Sequence, residues 1–157
     1  FPVGAYGGRE EIMRCLAPLG GVYQAGTFSG NPVVMRGGLS GLRLLTDKFY
    51  QSLNERCGDF AEDLNDFFQE KNLNVHLSSF GSMMSIRFRK ESVCNYDDAL
   101  AAAGGERYQA LFHHLLKKNI YWPPADLESF FVSCMHTKKD LQFLSDVLKE
   151  FFLNEMK

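Results

Sequence analysis

Ten of the 14 glycines lie before Leu42, and no other feature limits this chain as strongly. Glycine weakens helix and strand interiors and favours turns and close backbone approach. A stretch this rich in it reads as loops and short elements. The other four, Gly58, Gly81, Gly104 and Gly105, are scattered through a region whose apolar residues recur with regular periods. The shift predicts a boundary near Thr46. Residues 1–45 are expected to be a loop-rich, site-bearing segment, and 46–157 a packed domain that opens with a long helix.

Before the boundary, residues 3–6 read as a short strand ending at Gly7-Gly8. Residues 9–16 read as a short helix broken by Pro18 and Gly20-Gly21, and 33–45 as a second helix. After it, Leu45, Phe49, Leu53, Phe60, Leu64, Phe67 and Phe68 recur mostly at spacings of three and four. Asp47, Glu55, Asp59, Glu62 and Asp63 take the wetter side, which predicts one amphipathic helix ending by Asn72 or Asn74. Val75 to Leu77 reads as a short strand. Met84, Ile86 and Phe88 alternate with Ser85, Arg87 and Arg89, the pattern of a strand with one wet face. Residues 106–118 make a further helix, and 120–122 and 130–133 are strand candidates around Pro123-Pro124. Thr137 and Asp140 form a capping-box pattern opening a last helix to about Phe152. This order predicts an α+β fold, an antiparallel sheet with helices packed on one face.

Composition narrows the function classes. A net charge of −2 gives no electrostatic case for nucleic acid or for an anionic membrane surface. No apolar run approaches membrane-spanning length. Cys15, Cys57, Cys94 and Cys134 are far apart with no CxxC pair, so free thiols are expected rather than disulfides or a zinc site. The opening Phe1-Pro2-Val3-Gly4-Ala5 has no initiator Met and reads as material from the middle of a domain, so the chain is expected to be part of something longer.

One run stands out chemically. Gly20-Gly21-Val22-Tyr23-Gln24-Ala25-Gly26-Thr27-Phe28-Ser29-Gly30-Asn31-Pro32 places small residues and two hydroxyls just ahead of a helix. Gly26 and Gly30 have no Cβ to hold an anion off, Thr27 and Ser29 add donors, and N–H groups at the helix start face the same loop. That is a phosphate-site pattern. The rival reading is an ordinary turn with a capping hydroxyl, and Ser29 and Asn31 fit that reading better than Thr27 does.

Pro2-Val3-Gly4-Ala5-Tyr6-Gly7-Gly8-Arg9 together with Val22 to Pro32 resembles the fold-type I, class III pyridoxal-phosphate aminotransferases. The resemblance continues through Gly81-Ser82-Met83 and the Asn95-Tyr96-Asp97-Asp98-Ala99 turn. It ends on Tyr121-Trp122-Pro123-Pro124-Ala125-Asp126-Leu127-Glu128-Ser129-Phe130 and His136-Thr137, so it covers nearly the whole chain. Within the family it is greatest to the aminomutase branch, which isomerises glutamate-1-semialdehyde to 5-aminolevulinate for tetrapyrrole synthesis.

The resemblance implies several things. The chain would be a C-terminal portion: 1–45 a remnant of the large cofactor-binding domain, 46–157 the small C-terminal domain. The Gly26-Thr27 pair would bind the phosphate of pyridoxal or pyridoxamine 5′-phosphate belonging to the partner subunit of a homodimer. Glu128 would stand near the substrate, where many other class III members carry an arginine that grips a carboxylate. The Schiff-base lysine would lie upstream of Phe1, leaving no catalytic lysine here and an inactive portion. No metal, nucleic acid or membrane is implied, and the compartment would be the bacterial cytoplasm, with a plastid stroma the alternative. Two rivals stand beside this reading: a class III enzyme exchanging amines between two molecules, and a non-catalytic dimerisation or interaction domain.

The sequence itself holds no lysine before Lys48. Arg87 and Arg89 invite a carboxylate-binding reading, but their alternation predicts a shared, solvated face. His113 and His114 on a helix, and His136 before a cap, read as structural or exposed. Trp122 beside Pro123-Pro124 reads as loop packing ahead of a substrate-entrance role.

Overall fold

The structure is a computed structural model describing residues 3–155; Phe1, Pro2, Met156 and Lys157 lie outside the described residues, and with them the first residue of the Pro-Val-Gly-Ala motif. The chain divides into two compact units, 1–49 and 50–157.

In the first unit, α1 is a single turn, Glu10–Met13, and α2 runs over Pro32–Leu42. Asn31 caps α2 by accepting from the N–H groups of Val33 (3.0 Å) and Val34 (3.2 Å), with Pro32 at the first helical position. The strand expected at residues 3–6 is absent. A strand needs a paired neighbour to satisfy its N–H and C=O groups, and among the described residues the β-bridge of this unit joins Leu16 to Val22 instead. Among the described apolar residues of the unit only Val34 is buried.

The second unit has a real core. The helix α3, Asp47–Glu70, begins within the first unit, where the Phe49 N–H donates to Thr46 Oγ1 (3.2 Å). It ends as its asparagine predicts: Asn72 takes a positive φ of 52° and the Leu73 N–H returns to the Phe68 carbonyl (2.8 Å). Its buried stripe is Leu53, Cys57, Phe60, Ala61, Leu64 and Phe68.

Strands β1 (His76–Phe80) and β2 (Met83–Arg87) form an antiparallel hairpin, and β3 (Phe130–Phe131) pairs with β2 on its far side. Gly81 makes the hairpin turn possible at φ 57°, a conformation costly for residues with a Cβ. The Leu77↔Ile86 pairing and Met84 put the buried side chains on one face of the sheet. Asn65 of α3 brackets the edge strand, donating to the Leu77 carbonyl (3.0 Å) and accepting its N–H (2.8 Å), so that position offers no open edge.

Three more helices complete the unit: α4 (Tyr96–Ala101), α5 (Glu106–Lys117) and α6 (Lys138–Asn154). The capping box at α6 is as read: the Asp140 N–H donates to Thr137 Oγ1 (3.3 Å) and the Thr137 N–H to the Asp140 carboxylate (2.7 Å). Phe152 of α6 meets Phe68 edge-to-face at 5.2 Å and Phe88 at 6.3 Å, which joins α3, α6 and the end of β2 in one aromatic centre.

The segment at 120–122 is not a strand; Asn119 has φ 61° and the Ile120 N–H closes α5 onto the Leu115 carbonyl (2.9 Å). The Asn95 turn is a helix start, its side chain accepting the Asp98 N–H (2.9 Å). The four cysteines are free thiols. No helix among the described residues is long and apolar enough to cross a membrane.

Candidate functional site

The candidate residues fall in two places, one in each unit. In the first, residues 27–30 form a tight turn closed by the Ser29 N–H on the Gly26 carbonyl (2.9 Å) and the Asn31 N–H on the Phe28 carbonyl (3.1 Å). Gly26, Thr27 and Ser29 are exposed. None of the described hydrogen bonds uses the N–H of Gly26, Thr27 or Phe28, or the Thr27 hydroxyl. A Cβ on Gly26 would come within 2.9 Å of Ser29 Oγ, so glycine keeps this approach open.

An anion here meets a hydroxyl and unoccupied N–H groups, a set that suits phosphate oxygens. The start of α2 contributes less than the sequence pattern suggests, because Asn31 already takes the Val33 and Val34 N–H groups. The residues that fit a phosphate are therefore Gly26 and Thr27, with Asn31 serving as the helix cap.

The second place is the loop at residues 122–130 of the second unit. Glu128 is exposed there, and its N–H donates to the Ala125 carbonyl (3.1 Å). The loop ends are pinned by Trp122, 3% exposed, whose ring lies 4.2 Å from that of Phe130. The Tyr108 hydroxyl donates to the Pro123 carbonyl (2.8 Å). Burial, and then the nearby Asp126 carboxylate, push the Tyr108 phenol up to about 12, so it stays a donor at ordinary pH.

Arg87 belongs to this loop and not to a wet face. It is 6% exposed, and its guanidinium donates to the carbonyls of Asp126 (2.7 Å) and Leu127 (3.4 Å). It is thus engaged by its own chain and not free for a substrate carboxylate. The alternation of β2 assigns Arg87 to the face opposite Met84 and Ile86, but that face is covered and not wet at Arg87, and the pattern carries no information on what covers it. Arg89 is separate, half-buried against Glu91 (3.4 Å) and Asp98 (3.4 Å).

Three histidines stand as the sequence suggests, structural or exposed. His136 Nδ1 accepts the Ser133 N–H (2.9 Å), His114 packs on Phe151 (5.4 Å), and His113 is exposed. Among the described residues no His/Cys/Asp/Glu group is arranged to hold a metal. Sequence reasoning missed Tyr108 and Asp126 as parts of the loop's support: Tyr108 lies in α5, 20 residues before Glu128, and Asp126, two residues before it, stands in a loop whose pattern does not show what its carboxylate meets.

Comparison with known proteins gives these two places a common context. No family model matches the chain. The glutamate-1-semialdehyde 2,1-aminomutase 1 of Lachnoclostridium phytofermentans is 40% identical over 153 residues, 96% of this chain and 36% of that protein. That of Alkaliphilus oremlandii is 40% identical over 159 residues, 100% of this chain and 36% of the other. Among solved structures, a β-phenylalanine aminotransferase from Variovorax paradoxus superposes with a TM-score of 0.82 at 29% identity, covering 94% of this chain and 34% of that one. Along its whole length the chain is thus related to the glutamate-1-semialdehyde 2,1-aminomutases, about a third of whose length it spans.

Proposed function

We propose that this chain is the C-terminal part of an enzyme that isomerises glutamate-1-semialdehyde to 5-aminolevulinate, the entry to tetrapyrrole synthesis, working as a homodimer in the cytoplasm. The observation that carries the reading is the 40% identity to aminomutases across the whole chain, including both candidate places. Residues 1–45 are then the remnant of the large domain and 46–157 the small domain. Pyridoxal or pyridoxamine phosphate, when bound, supplies the electron sink for moving the amino group. Gly26 and Thr27 bind its phosphate, from the partner subunit's site, through N–H groups and a hydroxyl. Glu128 offers a carboxylate that hydrogen-bonds an ammonium of the substrate and orients it.

The lysines of this chain are poor candidates for a covalent role. Those described are all at least partly exposed, and Lys118 and Lys149 are tied to Glu150 (2.8 Å) and Asp63 (2.7 Å). An amine held as a solvated cation is a weak nucleophile. The 157-residue chain alone is therefore expected to be inactive and to give no specific lysine adduct after borohydride reduction with pyridoxal phosphate.

The test is turnover by the full-length protein. Glutamate-1-semialdehyde should yield 5-aminolevulinate with no second oxo acid required. Thr27→Ala should weaken cofactor retention by about tenfold or more, as expected for a lost hydrogen bond to a charged group. Retention unchanged in that variant would remove Thr27 from the phosphate site.

A second reading has one observation in its favour, the TM-score of 0.82 to an aminotransferase. That reading, amine exchange between two molecules, requires net transfer to an external oxo acid. Assaying such transfer in the full-length protein separates the two.

A further inference from the structure

Arg87 sits on the last residue of β2, buried, with its charge directed at the loop that carries Glu128. A guanidinium is expensive to bury unless its donors are met. Here its Nη1 donates to the carbonyls of Asp126 (2.7 Å) and Ile86 (3.3 Å), and Nη2 to that of Leu127 (3.4 Å). Asp126 and Leu127 are the two residues immediately before Glu128. The Asp126 carboxylate is fixed as well: Oδ2 accepts the N–H groups of Gly104 (2.6 Å) and Gly105 (3.1 Å) at the start of α5, while Oδ1 is buried 4.0 Å from Arg87 Nη1. A negative charge at that helix start is favourable.

We propose that Arg87 is a positioning residue: with Asp126 it clamps the backbone of residues 126–127 and so sets where Glu128 stands. The planar guanidinium suits this task, because one rigid fork reaches two successive carbonyls and an ammonium cannot. Tyr108 on the Pro123 carbonyl holds the other side of the same loop. Three of its carbonyls, at 123, 126 and 127, are thus held by side chains that are themselves buried. Exposed Glu128 gains from this a fixed base that its own contacts do not supply. The assignment of a role in turnover rests on the substrate-proximal reading of Glu128 given above.

Trp122 is the single tryptophan of the sequence and lies in the same loop, so it reports on the clamp directly. In the full chain, Arg87→Met should raise acrylamide quenching of Trp122 at least twofold while the far-UV helical signal is retained. If Arg87→Met does not fold, Arg87→Lys carries the same test, with a smaller rise because a lysine meets only one carbonyl. Unchanged quenching in a folded variant overturns the proposal.

Turnover in the full-length protein supplies the second arm. Arg87→Met should lower kcat by about tenfold to a hundredfold, the scale of a small misplacement of an orienting group, with KM changed far less. In a Glu128→Gln background the same substitution should cost no more, since both act through one carboxylate. Additive losses mean that Arg87 acts independently of Glu128 and overturn the positioning role. Normal turnover in Glu128→Gln alongside raised Trp122 quenching in Arg87→Met instead removes the substrate reading of Glu128 and leaves the clamp in place.

Discussion

The two units of this chain solve the burial problem in opposite ways. In the second, Phe68, Phe152, Leu64, Leu77, Met84, Ile86, Leu111, Leu115 and Leu148 are almost wholly buried, and three long helices and a hairpin meet on them. In the first, Val34 is the buried apolar side chain among the described residues, while Leu19, Tyr23, Phe28, Val33 and Leu44 are more than half exposed. The difference separates a unit that supplies its own core from one that leaves donors and apolar side chains at its surface, while the candidate residues are divided between the two. The second unit buries the apolar surface needed to offset chain entropy. The first keeps its apolar side chains and its unoccupied N–H groups at the surface, which suits a segment whose role is to meet something else.

The widest gap should appear on core truncation. Phe152→Ala should cost about 3–5 kcal/mol and lower the urea midpoint read by Trp122. Val34→Ala should cost about 1 kcal/mol, visible only as faster amide exchange in α2. Protection of α2 amides equal to that of α6 would break the comparison.

Next in size is Gly104→Ala, where the added Cβ would overlap the Phe88 ring. Overpacking of that kind should cost about 1–3 kcal/mol of second-unit stability, measured by the same urea titration. Helix caps sharpen the contrast further. Thr137→Ala and Asn31→Ala each remove a cap worth about 1 kcal/mol. The first should lower the global unfolding midpoint, and the second should change only local exchange in α2.

The smallest effect concerns pH. Burial lowers the pKa of His76 on β1 from its ordinary 6.5. The folded state therefore favours neutral His76, and the unfolded chain takes up the proton first. The stability from this residue is complete above 6.5 and is lost as pH falls through the lower, folded value. Comparing urea midpoints at pH 7.5 and below 6 in the protein and in His76→Gln checks the sign: the variant should lose less on acidification.

Local signals were the legible ones. Thr137 and Asp140 announced the capping box, Asn72 the end of α3, and the three- and four-residue spacing from Phe49 to Phe68 the helix itself, because each depends on neighbours within a turn or two of the backbone. The six-residue α4 reads as a turn in the sequence, because it is too short to show a period and offers only its cap, Asn95. Residues 3–6 and 120–122 have strand-like composition, yet composition does not supply a pairing partner. For the loop at 20–32, the sequence proposes donors for a phosphate, while the structure shows that Asn31 already takes the Val33 and Val34 N–H groups at the helix start.

By itself the sequence determined the longer helices, the alternation of β2, the change of composition near Thr46 and the resemblance to a family. All of these rest on residue type and short-range spacing. Only the tertiary structure decided the fate of Arg87, because a strand's alternation assigns it a face and not the partner waiting there. Its guanidinium, Asp126 and Tyr108 meet from positions 87, 126 and 108, and folding alone brings them onto one loop. Burial then makes each of those polar contacts obligatory, since the alternative is an unmet donor in the interior.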